Sequence, residues 1–481
     1  MLGKLKGLFL SKEQINPSFE YKGLVKYIPL IICGGFYFLT ILLFEFGPYD
    51  WKVNNKLELY LFLTMALVAL ILGYIMSIKK SEKDKVNYNS EKIIRFNIDN
   101  IVLVSFVFFI ISTIANLYVT TGKLYPDVVL GIKNAALAYK ISHSTLSPFA
   151  TIIYYINIFL SLFTMFLIPL AFIYFKNLSK KSKIMVVIAI LLNLSCGVAQ
   201  GIINGCATFV FEIILYCIIY ICSTLKNGKK LDKIGLLIFT ILLVIFFFAY
   251  YKSTMSSRLV SDVVGKPVSA KGSKMSKEEI QDIMGSAGTF AISELKDKYI
   301  LSFLPDSIEG SVNHAISYVS HGYKGLSLAM TKGFTSSFGL GFSDFLRHNI
   351  LKVLFLSEYE DPIYERTYMH KIEEHNWVTG KVWSTFFIFP ASDIGFVLTI
   401  PFIFLIGYIF GLSWKHAIKN KNIFAAIVLF NMCMTVCFFS ANNNIYQNPS
   451  VVSAVLAIIM WFVLDKINKK RVMKDENTMV S

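Results

Sequence analysis

The chain has 481 residues, 55% hydrophobic and only 16% charged, and its mean hydropathy of +0.58 excludes an ordinary water-soluble globular domain. A formal charge of +16 would point to nucleic acid only if the cations formed a basic face on a folded domain. They lie instead in short segments between apolar runs, so no nucleic acid partner is implied and lipid is the expected surrounding.

Lys4 and Lys6 open the chain ahead of a modest apolar patch with no clear cleavage site, which reads as a cytoplasmic interfacial arm. Ten runs then follow that are long enough to cross a hydrocarbon core of about 30 Å. They cover residues 27–46, 57–78, 101–120, 149–175, 184–202, 207–225, 234–251, 395–413, 423–440 and 450–466, which makes the fold class an all-α polytopic membrane protein. The stretch Gly197–Cys206 admits two readings, a turn between the fifth and sixth spans or a break inside one re-entrant unit.

Lys and Arg number 5, 6, 4, 4, 3 and 5 in the stretch to Lys26, in 79–100, 176–183, 226–233 and 414–422, and in the tail from Lys466. The alternate short segments 47–56, 121–148, 203–206 and 441–449 hold 2, 3, 0 and 0. By the positive-inside rule the odd spans run outward and both termini are cytoplasmic. The chain then divides into spans one to seven (1–251), a large extracytoplasmic loop (252–394), spans eight to ten (395–466) and a cytoplasmic tail (467–481). All seven cysteines fall in or beside apolar spans, so no disulfide framework is implied. Cys433 and Cys437, one helical turn apart, read as packing residues sooner than as a metal pair.

The large loop is too long to be a mere connection, and such loops usually carry function. It holds 15 Lys plus Arg against 16 Asp plus Glu, and five of the seven histidines: His314, His321, His348, His370 and His375. Ser276–Glu279 reads as a capping box ahead of a helix through Ile280, Ile283 and Met284. Ser307–Met330 reads as one amphipathic helix, Gly333–Gly341 as a glycine-rich turn bearing aromatics, and Asp344–Leu356 as helix again.

Arg is scarce where the chain needs only a cytoplasmic anchor, yet Arg258, Arg347 and Arg366 all lie in this loop. A guanidinium grips phosphate oxygens with paired hydrogen bonds that a lysine point charge does not imitate. The alternative is an ion pair within the loop, such as Arg366 with Glu365, Glu373 or Glu374. His348 follows Arg347, and His370 lies four positions after Arg366, where one helix would put both on one face. A proton acceptor beside an anion clamp suits transfer from a phosphate-linked donor to a hydroxyl; incidental histidines on a solvated helix are the competing reading. Glu212 lies inside the sixth span, where a carboxylate faces a cavity or partner. Asp393, at the outer end of the eighth span, suits either a helix cap or a substrate contact. Tyr364, Tyr368, Trp377 and Trp383 could stack on sugars, although an interfacial belt explains Trp383 as well. There is no Walker A pattern, no His-x-x-x-His spacing and no GxSxG elbow, and Glu358, Glu360 and Asp361 read as a solvated turn. No cofactor or metal is called for.

The segment Trp383-Ser384-Thr385 through Phe389-Pro390-Ala391-Ser392-Asp393-Ile394-Gly395, then Pro401 and Phe404-Leu405-Ile406-Gly407, resembles the bacterial Wzy-type polysaccharide polymerases. Tyr318-Val319-Ser320-His321-Gly322-Tyr323-Lys324-Gly325-Leu326-Ser327 is similar to a second motif of that family, and Gly197–Glu212 to a third, with Gln200 where the family often has a basic residue. The resemblance implies a metal-independent, GT-C-like glycosyltransferase of the bacterial cytoplasmic membrane. Such an enzyme joins polyprenyl-diphosphate-linked oligosaccharide repeats at the outer face, with a chain-length regulator and a flippase as pathway partners. Arg347, His348, Arg366 and His370 would then be catalytic, and Arg258, His314, His321, Tyr323, Trp377 and Asp393 would bind substrate. An O-antigen-ligase-like transferase and a lipid-linked oligosaccharide flippase remain the rival readings.

Overall fold

The computed structural model describes residues 23–83, 98–142, 148–223, 230–264, 294–296, 306–375, 377, 382 and 384–480. In chain order the helices are α1 (Leu30–Phe46), α2 (Lys56–Lys83), α3 (Ile98–Thr121), α4 (Val128–Lys133), α5 (Ala135–Ser142), α6 (Pro148–Thr164), α7 (Leu167–Ile173), α8 (Lys180–Ala199), α9 (Ile203–Ser223) and α10 (Lys230–Val264). There follow α11 (Asp306–Ser320), α12 (Gly322–Met330), α13 (Asp344–Val353), α14 (Glu360–Arg366), α15 (Tyr368–Glu373), α16 (Ile388–Lys419), α17 (Ile423–Cys437) and α18 (Ser450–Val480). A two-residue pairing, β1 (Tyr49–Asp50) with β2 (Glu294–Leu295), is the sheet among the described residues.

Seven of these segments are long and apolar enough to cross a membrane: α2, α3, α6 with α7, α8, α9, the apolar part of α10, and α16. The chain is therefore an all-α polytopic membrane protein. α1 and α17 are shorter apolar helices on the first and ninth expected spans, and the tenth falls on the start of α18. The most extensive helix pair in the bundle is α2 with α16, which touch backbone to backbone. A Cβ on Gly73 would collide with the Phe404 carbonyl, and one on Gly407 with that of Leu70. Small residues at such crossings let helices approach where lipid offers no hydrophobic drive to associate.

The connections sort into two ends. At one, 47–56 pairs with 294–296 through β1 and β2, Asn443 and Gln447 donate to the Phe342 carbonyl, and Asn204 reaches Asn444. At the other, Asp99 accepts from Ser182, Tyr74 donates to Lys26 O and Trp414 to Val25 O. Among the described residues, the Lys-poor connections thus gather with 306–375, and the described ends of the Lys-rich segments, at 23–26, 98–100, 179–183 and 414–421, gather opposite.

Between the fifth and sixth spans the structure has a tight hairpin. Gly201, at φ +65°, lets the Ile202 N–H return to the Gly197 carbonyl at 3.0 Å, so α8 and α9 are two separate helices. The expected single helix over Ser307–Met330 is two, α11 and α12, because Gly322 packs its backbone directly on the Ser440 carbonyl. The expected helix at Ser276–Met284 lies outside the described residues.

α16 begins before the expected span and breaks at Gly395, whose φ of 76° and ψ of 163° suit glycine alone. A break leaves carbonyls without intrahelical donors. Here Ser337 N–H and Ser336 Oγ supply them, to Ser392 O at 3.1 Å and Asp393 O at 3.0 Å. The glycine-rich turn is thereby docked on the break, and the site is built around that contact.

Candidate functional site

Asp393 completes the docking. Its Oδ1 accepts the N–H groups of Gly339 at 2.9 Å and Gly341 at 3.0 Å, with Ser337 Oγ at 2.8 Å. Amides turned inward by a loop form a concavity that selects an anion, and Phe338 at φ 59° with Gly339 at φ 82° gives the turn that curvature. The carboxylate belongs to the scaffold of the site, as a fixed anchor for the loop.

Arg366 is the last residue of α14. Thr367 turns extended at ψ 152° and caps α15 by accepting the His370 N–H at 3.3 Å. The expectation that Arg366 and His370 share one helix face is therefore corrected: they lie on two helices. Arg366 Nε donates to the Ser336 carbonyl at 2.6 Å, and the guanidinium lies over the Phe338 ring at 4.4 Å. Nη1 and Nη2 have no acceptor among the described residues. Lys371 Nζ donates to Gly333 O at 2.8 Å and to Thr335 Oγ1 at 3.0 Å. Both cations are held by neutral oxygens of one loop. Burial first, and then the Arg366 charge, hold the Lys371 ammonium below the usual lysine range. Lys332 by contrast meets an acid, Glu374, at 2.7 Å.

A second cluster adjoins this pair through Tyr364. Arg347 is 6% exposed and lies over the Tyr364 ring at 5.0 Å. Asp344 Oδ1 is 2.7 Å from Arg347 Nη1, while Nε has no hydrogen-bond acceptor among the described residues. His370 meets the same Tyr364 ring edge-on at 5.4 Å, and its Nδ1 is 3.5 Å from Glu373. The Tyr364 hydroxyl donates to Glu373 at 3.0 Å. One ring thus brings a buried guanidinium and a half-exposed imidazole together.

His348 does not join them. Adjacent residues on a helix point about 100° apart, so while Arg347 faces inward His348 faces outward and meets Glu360 at 3.0 Å. His321, Tyr323 and Trp377 are 1%, 0% and 1% exposed and present no surface to a ligand as packed. His321 Nδ1 lies 2.8 Å from Ser317 O, between Trp51 and Trp377, and the Tyr323 hydroxyl is 2.7 Å from Thr40 Oγ1. Arg258 is on α10 and His314 on α11; their side chains, and Trp383, lie outside the described residues. Lys371, Ser336 and Phe338 were missed in the sequence; the aromatic, glycine-rich turn was the one signal leading to them.

Below the docked loop, an apolar groove of ≈ 480 Å³ opens between α2 and α16, lined by Thr64, Met65, Val68 and Leu72 against Ile400, Pro401 and Phe404. The arrangement can hold an anion at the loop and an apolar chain beside it. Among the described residues no group of three or more His, Cys, Asp or Glu is placed for a metal ion. The chain matches no protein-family model, no curated protein and no solved structure with which it was compared.

Proposed function

We propose that the chain is a membrane glycosyltransferase that joins polyprenyl-diphosphate-linked oligosaccharide repeats into a polysaccharide, on the side of the membrane faced by the Lys-poor end of the bundle. The observation that carries this reading is the pair Arg366 and Lys371, two cations fixed by carbonyl and hydroxyl oxygens and, among the described residues, without a carboxylate partner. Such a pair favours an anionic ligand with several oxygens. The groove between α2 and α16, apolar and open to lipid, suits the isoprenoid chain of the same molecule.

In the proposed step a hydroxyl oxygen of the acceptor repeat attacks the anomeric carbon of the donor. The carbon–oxygen bond to the diphosphate breaks, and the electron pair leaves on the diphosphate. Arg366, Lys371 and Arg347 stabilise that growing charge, and stabilisation that strengthens along the reaction is what accelerates it. His370, half-exposed beside Tyr364, takes the hydroxyl proton. Its Nδ1 is buried 3.5 Å from Glu373 without a hydrogen bond among the described residues, and Nε2 is assigned as the accepting atom.

The test is genetic. A deletion strain should accumulate single-repeat glycolipid on the outer face; inner-face accumulation would favour a flippase, and normal polymer with unligated ends a ligase. The Arg347→Ala and Arg366→Ala variants should fail to restore polymer, and full restoration by both would remove the roles assigned here.

A further inference from the structure

We infer that residues 350–356 form a lipid anchor that enters the leaflet at the Lys-poor end of the bundle. α13 buries Arg347 and Leu351 on its inner face. Beyond them the chain turns a run of apolar side chains outward: Ile350 39%, Val353 74%, Leu354 57%, Phe355 93% and Leu356 38% exposed. Contiguous exposed apolar residues of this kind mark a contact surface.

The helix end is built to project them. The Leu356 N–H returns to Leu351 O at 2.8 Å and the Leu354 N–H to Ile350 O at 3.0 Å, which throws the residue between them into the left-handed region. Glycine usually takes that place. Here it is Phe355, at φ 58°, so a bulky ring is held in a disfavoured backbone state and aimed away from the protein. In water neither the strain nor the exposure is offset.

Lipid is the occupant because the tip continues a lipid-facing surface. Asn349 Oδ1 lies 3.5 Å from the Tyr155 hydroxyl and Lys352 Nζ lies 5.8 Å from the Tyr155 ring. Tyr155 is on α6 with Ile152, Tyr154, Ile156 and Phe159, all exposed on a membrane-spanning segment. Charged groups flank the tip at Lys352, Glu358 and Glu360, and none lies within 353–356. Apolar tip, charged collar and a tyrosine at the rim are the features of an interfacial segment, which settles about 5–10 Å into the boundary between head groups and acyl chains. Arg347, two turns back, is then held at the level of lipid phosphates. The inference does not depend on the proposed reaction.

The test uses the full chain with Phe355→Cys or, as the control, Glu358→Cys, each labelled with bimane and reconstituted in phosphatidylethanolamine–phosphatidylglycerol vesicles. Among the described cysteines six are buried and Cys437 is partly so, and the unsubstituted protein sets the background. Both replaced side chains are exposed, and monodisperse elution before reconstitution checks the fold. The expected result is quenching at 355 by a nitroxide near the top of the acyl chain, with little quenching by aqueous iodide, and the reverse at 358. Iodide quenching at 355 equal to that at 358 would overturn the anchor. Protection at 355 from both quenchers would overturn it too, in favour of a protein partner.

Discussion

Arg366 donates from Nε to the carbonyl oxygen of Ser336 at 2.6 Å, a contact that fixes the guanidinium without neutralising it. Its outer nitrogens stay available for a diphosphate. Arg366→Lys keeps the charge and loses the paired donors together with the planar stack on Phe338. Under the proposed function, polymer formation by the purified protein should fall about 100-fold in Arg366→Lys, the scale of losing a donor aimed at developing charge. Thermal unfolding should barely move. An active Arg366→Lys would show that charge alone suffices.

Asp393 makes a separable prediction because it acts on the loop. Asp393→Ala leaves the amides of Gly339 and Gly341 without their acceptor and should cost about 1–3 kcal/mol. Asp393→Asn retains an acceptor oxygen and should lose less. Amide hydrogen exchange at Gly339 and Gly341 reads this directly; unchanged protection in Asp393→Ala would mean that the turn holds its shape by itself.

Gly395 is the hinge of the same contact. Alanine there is strained by its φ of 76° and ψ of 163°, at a cost of about 1–3 kcal/mol. Relief of that strain would straighten α16 and withdraw Ser392 O and Asp393 O from Ser336 and Ser337. Gly395→Ala should therefore loosen the loop and lower activity together, whereas a loss of stability with full activity would detach the break from the site.

Lys371 gives a pH dependence. Its folded-state pKa is held below the ordinary lysine value by burial and by Arg366. In the window between that lowered value and the ordinary one, the unfolded chain binds the proton and the ligand-free fold does not, so the ligand-free protein gains stability as pH rises. Anion binding has the opposite slope, because it needs the protonated amine. Affinity for inorganic diphosphate, measured by calorimetry, should weaken as pH rises through that window and lose that slope in Lys371→Met. A slope unaltered in Lys371→Met would assign it to another group.

Seven membrane-length helices were legible because long apolar runs are a strong signal. Local signals also marked the glycine-rich turn and the region of α13. Pairings across long stretches of chain were not legible: nothing near Asp393 announces Gly339 or Gly341, and nothing near Arg366 announces Ser336. Lys371 was hidden among the many other lysines of its loop. Arg347 and His348 looked like one unit as neighbours in sequence, yet helical geometry separates them. His321, Tyr323 and Trp377 carry chemistry-bearing side chains, but burial is set by tertiary packing, and these three are enclosed.

The most direct measurement gives purified protein, in lipid vesicles, only polyprenyl-diphosphate-linked repeat units and follows the products by gel. The proposed function predicts a ladder of polymer lengths with free polyprenyl diphosphate released, and no ladder from a folded Arg366→Ala, Lys371→Ala double variant. Intact protein that makes no ladder from these substrates, or a double variant that makes it as well as the unsubstituted protein, would contradict it.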